Sequence, residues 1–168
     1  MSRKVVYAGS FDPITSGHLW MIEQGADLFD QVVVAIGVNP DKGYTFSLDE
    51  REAMLKAVVE PFENVQLDVF ANQFLVHYAH AIGARYILRG IRSEADYQYE
   101  RAMRHVNSDL NDEVRTIFLM PPRQIAEVSS SLVKSLVGPE GWEQTVRQFL
   151  PEAIRGTFVE TMKSRTGS

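Results

Sequence analysis

An α/β fold built on a doubly wound, five-stranded parallel sheet is what the sequence predicts, on three observations. Five short apolar runs, residues 5–8, 32–38, 65–70, 86–88 and 114–120, are rich in β-branched or aromatic side chains and have the length of buried strands. Longer amphipathic segments separate them, the alternation that right-handed crossovers and a parallel sheet require. Polar, chemistry-bearing residues follow every run, and in such sheets ligands bind beyond the carboxyl ends of the strands.

The elements follow in order. The first run ends at Gly9, and a helix is expected from Gly17 to about residue 29, capped by Thr15 or Ser16. The second run leads through Asn39-Pro40-Asp41-Lys42 to a helix over 48–59. Its start, Ser47-Leu48-Asp49-Glu50, has the spacing of a capping box, in which serine and glutamate each satisfy an orphan amide. The third run opens through Asn72-Gln73-Phe74-Leu75 into a helix over 74–82, and the fourth ends in Arg89-Gly90-Ile91-Arg92 before a helix over 94–110. The fifth is followed by the rim stretch 121–131, which closes in Ser129-Ser130-Ser131. Residues 132–162 read as two or three short helices broken at Gly138-Pro139 and Leu150-Pro151, and 163–168 as a frayed tail. At 168 residues, the chain suits one well-packed domain and is short for two, so 1–168 is expected to be a single domain.

Composition narrows the function classes. With 45% hydrophobic and 23% charged residues the chain is globular, not disordered or fibrous. A net charge of -5 argues against a broad nucleic-acid surface and still allows a small, concentrated cationic pocket. The absence of cysteine excludes disulfides, thiolate zinc sites and a cysteine nucleophile, and points to the cytoplasm. No apolar run has the length of a bilayer span and no export segment is read, so neither a membrane nor a nucleic acid is expected as a partner.

The stretch Gly9-Ser10-Phe11-Asp12-Pro13-Ile14-Thr15-Ser16-Gly17-His18 is the most informative. A backbone turning from strand to helix offers unpaired N–H groups and the positive end of a helix dipole, both suited to an anion. Gly17 lets the backbone come close, so Ser10 and His18 can approach one phosphate. The turn therefore reads as a site for a nucleoside triphosphate. Nucleotidyl transfer needs charge control more than covalent chemistry, and an acceptor phosphate needs no general base. His18 can donate to the α-phosphate, and Lys42 can bridge two phosphates as a point charge. Arg89 and Arg92, three residues apart around Gly90, suit a phosphate clamp, and Ser129-Ser130-Ser131 before a helical pattern suit the β- and γ-phosphates. Asp12 is read as a brace for the turn, not a metal ligand. His77, His80 and His105 have no such setting, with His77 the one near the rim. Tyr99, Met103 and Asn107 recur every four residues and share a helix face.

Four elements carry a family resemblance, one of them Pro40-Asp41-Lys42 followed by Phe46 and Glu50-Arg51, which resembles the P-x-K element of a nucleotidyltransferase family. The Thr15-Ser16-Gly17-His18 core resembles the (H/T)-x-G-H element of the nucleotidyltransferase superfamily, and Val128-Ser129-Ser130-Ser131 with Lys134 is similar to its I-S-S-S-x-[VI]-[KR] element. The run from Arg89 to Glu100 matches R-G-x-R-x-x-x-D-[YF]-x-Y-E, which resembles the phosphopantetheine adenylyltransferase family specifically. The elements occur in family order from about Lys4 to Leu136. The resemblance implies transfer of AMP from ATP to 4'-phosphopantetheine, giving dephospho-coenzyme A and pyrophosphate by direct in-line displacement. It implies catalytic roles for Ser10, His18, Lys42 and Arg92. It implies an ATP site of Ser10, Phe11, Gly17, His18, Gly90, Arg92, Glu100 near the ribose, and Val128 to Ser131. For the acceptor it implies Ser10, Lys42 and Arg89 at the phosphate, with a pantetheine groove of Phe74, Leu75, Tyr99, Met103 and Asn107. Mg²⁺ held mainly through the ATP phosphates, a homohexamer and feedback inhibition by coenzyme A are further implications. The chain departs from the family at Gly43-Tyr44, where a proline often follows the lysine, and at Ile125-Ala126-Glu127, where aromatic residues are usual. The competing readings are a nucleotidyltransferase for nicotinate mononucleotide or a polyol phosphate, against which the Arg89–Glu100 run argues, and a noncatalytic nucleotide or coenzyme A sensor.

Overall fold

The computed structural model describes residues 2–167. Strands β1 (Lys4–Gly9), β2 (Gln31–Val38), β3 (Val65–Ala71), β4 (Tyr86–Gly90) and β5 (Arg115–Leu119) alternate with helices α1 (Ser16–Leu28), α2 (Leu48–Val59), α3 (Leu75–Ala81) and α4 (Glu94–Leu110). Four short helices follow, α5 (Arg123–Ala126), α6 (Ser130–Ser135), α7 (Trp142–Val146) and α8 (Arg155–Thr166), with two 3₁₀ turns before α8. All strand pairs are parallel, in the order β3-β2-β1-β4-β5. The expected doubly wound α/β sheet is therefore present, and each expected strand and helix up to α4 lies within two residues of its predicted ends.

Strand alternation explains why helices cover both faces. Val5, Tyr7, Val32, Val34 and Ile36 point to one side, where Met21 and Ile22 of α1, Leu55 of α2 and Phe158 of α8 complete the larger core. Val6, Ala8, Val33 and Ala35 point to the other, against Val76, Tyr78 and Ala79 of α3. The chain winds outward from β1 to β3, returns across the sheet through α3, and resumes with β4 beside β1 in the register Val5 to Tyr86, Val6 to Ile87 and Tyr7 to Leu88. Between β1 and β4 the strand order reverses, and a crevice opens at the carboxyl ends of such a pair.

Two expectations are corrected. Inside the stretch read as open rim, Arg123–Ala126 forms a helical turn, too short to leave a periodic signal. The tail expected to fray from residue 163 instead continues α8 to Thr166: Lys163 pairs with Glu143, and Arg165 pairs with Glu50. Ser168 lies outside the described residues. Among those residues no helix is long and apolar enough to cross a membrane.

Candidate active site

The crevice between β1 and β4 is a cleft of about 410 Å³, walled by the ends of both strands, the start of α1, the start of α4 and the segment around α5 and α6. Gly17, His18, Gly90, Arg92, Glu100, Val128, Ser129, Ser130 and Ser131, all expected at ATP, line it together, and so do Arg89 and Tyr99. Tyr7, Ala8, Gly9, Met21, Asp96, Pro121 and Ile125 complete the walls. A second, shallower depression of about 300 Å³ contains Ser10, Asn39, Lys42, Tyr44, Asn72 and Gln73. The two adjoin through the Gly9-Ser10 peptide.

His18 is fixed by the start of α1. Thr15 is the N-cap, its hydroxyl oxygen accepts from the His18 N–H, and His18 stands at the position a glutamate holds in an ordinary capping box. The Thr15 backbone N–H donates to His18 Nδ1 at 3.0 Å. A nitrogen that accepts from an amide carries no proton, so Nδ1 is the bare nitrogen of the neutral ring and Nε2 is its N–H donor. Burial, with the Arg92 charge second, pushes the imidazole down to about 4, so it is neutral at pH 7 although one edge of the ring opens to the cleft. Phe11 supports it edge-on, ring centroids 5.1 Å apart. Phe11 holds a left-handed backbone, φ 48°, an arrangement that costs a bulky residue on the order of 1–3 kcal/mol and persists because the ring is locked between His18 and Tyr7. At 2% exposure, Phe11 places its ring beneath the imidazole and not among the walls of the cleft.

Gly17 lies where the backbone must pass close to another segment. A Cβ there would stand 3.2 Å from the Val128 carbonyl oxygen, so glycine lets α1 start against the segment that carries the serines. The Ser130 hydroxyl spends its proton on the Pro13 carbonyl at 2.7 Å, and the Ser129 hydroxyl accepts from the Leu132 N–H as the cap of α6. Ser129 thus keeps a proton to donate to a phosphate and Ser130 does not, a difference the triple serine conceals.

Two arginines meet the cleft through carboxylates. Arg89 donates from Nε and Nη2 to Glu100 Oε1, at 2.9 and 2.5 Å, and from Nη1 to the Ala8 carbonyl at 3.1 Å. Burial opposes its charge, and the Glu100 carboxylate more than offsets this, so Arg89 stays above the ordinary guanidinium value. Arg89, expected at the acceptor phosphate with Lys42, lines the cleft that holds His18, where β4 delivers it next to Glu100 of α4. Arg92 donates from Nε to Asp96 Oδ2 at 3.0 Å, which aims the rest of its fork. Burial presses the Asp96 carboxyl upward, but Arg92 outweighs it and holds Asp96 below the usual carboxylate range. Burial also raises the Tyr7 phenol, against the pull of Arg89 and Arg92.

Lys42 Nζ donates to Ser10 Oγ at 3.3 Å, which places the two expected acceptor groups side by side. Its loop is pinned at several points. The Asn39 N–H donates to Tyr44 Oη at 3.0 Å, and the Arg51 guanidinium lies 4.0 Å from the Tyr44 ring, so Tyr44 ties the loop to its own start and to α2. Arg51, 2% exposed, also donates to the Ser10 carbonyl at 2.9 Å. Asp12 is the brace expected: its two oxygens accept from the Thr45 and Phe46 N–H groups at 2.9 and 2.7 Å, and Lys134 Nζ reaches Oδ2 at 2.9 Å. Among the described residues no group of three or more His, Asp or Glu could hold a metal ion.

The structure does not bring the rest of the expected groove to these walls. Phe74 caps α3 with its ring 56% exposed and edge-on to His77, Leu75 packs against the smaller core, and Met103 and Asn107 lie further along α4. Eight residues of helix separate Tyr99 from Asn107, about 12 Å, which carries the far end of that face beyond the cleft. His77 lines neither depression. Lys134, Arg51 and Asp96 were not assigned from the sequence, although each lies inside or beside a quoted motif; Asp96, at the fixed D of the arginine run, was the legible one.

The cytidylyltransferase-like family model matches residues 6–136, from β1 to the end of α6. The phosphopantetheine adenylyltransferase of Chromobacterium violaceum is 59% identical over 152 residues, 90% of this chain and 93% of that protein. The one from Neisseria meningitidis serogroup C is also 59% identical, over 90% of this chain and 89% of its own. The Plasmodium falciparum nicotinic acid mononucleotide adenylyltransferase complexed with NaAD shares 14% identity and superposes with a TM-score of 0.66 over 96% of each chain, a likeness of fold. Sequence identity of this extent, over a chain whose T-x-G-H turn, paired arginines and serine segment converge on one cleft, means that the chain belongs to the phosphopantetheine adenylyltransferase family.

Proposed function

We propose that this protein transfers the adenylyl group of Mg-ATP to 4'-phosphopantetheine, giving dephospho-coenzyme A and pyrophosphate. The observation that carries the reading is the meeting of two depressions at Gly9-Ser10, one with His18 and Arg92, the other with Lys42. That layout suits a donor triphosphate and an acceptor phosphate approaching one α-phosphorus from opposite sides.

In the step, an acceptor phosphate oxygen forms a bond to the α-phosphorus while the α–β bridging bond breaks and its electron pair leaves with pyrophosphate. The His18 Nε2–H donates to an α-phosphate oxygen, a hydrogen bond that strengthens as charge develops. Lys42 spans the acceptor and α-phosphates from its place beside Ser10. Arg92 takes the outer phosphates with the Ser129 hydroxyl. Glu100 gives one oxygen to Arg89 and offers the other to the ribose, and Arg89 keeps two of its five N–H groups for phosphate. The acceptor arm runs between the 72–75 loop and α4, where Phe74 and Tyr99 present rings that are 56% and 62% exposed. Mg²⁺ enters as part of the substrate, on the ATP phosphates. The same reading carries a homohexamer, inhibition by coenzyme A and a cytoplasmic site of action, with light scattering and inhibitor titration as tests of the first two.

The deciding experiment measures pyrophosphate release with Mg-ATP and 4'-phosphopantetheine and identifies the product by mass, with nicotinate mononucleotide and glycerol phosphate in parallel. Dephospho-coenzyme A is expected. Turnover with another acceptor alone refutes the choice of acceptor, and tight binding without turnover makes the protein a sensor.

A further inference from the structure

We infer that Arg165, in the last turn of α8, is a positioning residue for Lys42; the inference rests on the reading of Lys42 as the acceptor-side cation. Nothing in the nucleotide motifs points to α8, which lies outside the stretch matched by the family model. Its buried side runs through Phe158 and Met162 and ends, one turn on, at Arg165. From there Arg165 Nη1 donates to the Thr45 carbonyl, and Nη2 lies 2.7 Å from each Glu50 oxygen. The guanidinium lies 4.9 Å from the Phe46 ring, which also packs against Phe158, centroids 5.7 Å apart.

Residue 45 is therefore gripped from two directions. Its N–H is held by Asp12 and its carbonyl by Arg165. Glu50 anchors the clamp to α2, because the same carboxylate accepts from the Ser47 N–H at 2.7 Å. The Ser47 bond, with Arg165 adding to it, holds the Glu50 carboxyl below its ordinary value. Between the clamp and Lys42 stand Gly43, where an added Cβ would meet nothing within 4 Å, and Tyr44, whose side chain the Asn39 N–H and Arg51 hold. The Tyr44 contacts act through its side chain, so the bonds at residue 45 are the next anchor of the main chain beyond Lys42. Freeing one side of that anchor lets the ammonium move by the ångström or so that costs a misaligned reacting group one to two decades in rate. The peptide needs a bidentate fork that also lies against a ring, which an arginine supplies and a lysine does not.

The test is a double-mutant cycle on kcat/KM for 4'-phosphopantetheine. Arg165→Ala is expected to lower it about tenfold with KM for ATP unchanged within twofold, and to lower it less than twofold when Lys42 is already alanine. Arg165→Lys is expected to recover only part of the loss. An equal loss in both backgrounds, or none in the first, overturns the inference. Amide exchange read on the unaltered protein and on Arg165→Lys, which keeps the α8 packing, judges the clamp without turnover: faster exchange at residues 43–46 supports it, and unchanged exchange overturns it. A protein that makes no dephospho-coenzyme A but shows the faster exchange refutes the functional reading and leaves the clamp standing.

Discussion

Replacing His18 by glutamine and by alanine separates a neutral hydrogen-bond donor from a charged one. Because the Thr15 N–H occupies Nδ1, the imidazole presents Nε2–H to the cleft, and a glutamine amide can carry an N–H to about the same place. Losing a donor aimed at developing charge costs on the order of 10²–10³ in kcat, about 2.7–4 kcal/mol, which is the expectation for His18→Ala. His18→Gln is expected to stay within about tenfold of the unaltered protein on the same scale. The pH dependence sharpens the test. With a value of about 4, about 1% of the ring is protonated at pH 6, against about three quarters for an ordinary histidine. The assay is kcat/KM for ATP between pH 5.5 and 8, which reports ionisations of the free enzyme. Substrate phosphates that titrate near pH 6 shape both profiles alike, so the ratio of unaltered protein to His18→Gln is expected to be flat. A ratio that climbs as pH falls through 6.5 refutes the neutral donor, as does a glutamine variant as slow as the alanine one. Stability gives the same ionisation a second readout. The unfolded chain takes the proton near 6.5 and the folded chain resists it to about 4. Stability from this group is thus complete above pH 6.5 and is lost progressively as pH falls toward 4, by at most about 3 kcal/mol, a slope His18→Gln should lack.

Asp12→Ala removes the carboxylate that Lys134 and two backbone N–H groups share, and urea unfolding should show a loss of about 3 kcal/mol, the scale of a broken buried pair. Lys134→Met, which leaves Asp12 its two amide bonds, should cost less in the same assay. Gly17→Ala pushes a methyl against the Val128 carbonyl, so it is expected to cost about 1–3 kcal/mol in thermal or urea unfolding and to raise KM for ATP. Chelation of Mg²⁺ should abolish turnover and leave the melting temperature of the ligand-free protein unchanged, since no protein ligand set for a metal exists among the described residues; a lowered melting temperature would point to a resident ion.

The parts of this protein that depend on local sequence were legible from it. Strand-length apolar runs, the Ser47–Glu50 capping box and the T-x-G-H turn each act within a few residues, so their structure follows from steric and hydrogen-bonding rules that need no tertiary context. The rim residues could be gathered because a parallel sheet puts the carboxyl ends of all its strands on one edge. What lay beyond reach was pairing between distant positions. That Arg89 turns to Glu100, that Lys134 and the 45–46 amides converge on Asp12, and that Ser130 spends its proton on Pro13 are all set by where β4, α2 and α6 pack. Of the face that Tyr99, Met103 and Asn107 share, only Tyr99 lines the cleft, because a four-residue repeat identifies one face of a helix but not how far along its length a neighbour extends.

By itself the sequence determined the doubly wound sheet, the strand-to-helix turn that carries His18 and the identity of the groups brought to the rim, because backbone geometry and side-chain periodicity are encoded within each element. Only the tertiary structure decided how those groups are aimed: the division into two depressions meeting at Ser10, the single tautomer available to His18, and the hold of α8 on the Lys42 loop through Arg165. Aim depends on contacts between residues up to 122 positions apart, such as Asp12 and Lys134, and such contacts exist only once the chain has closed on itself.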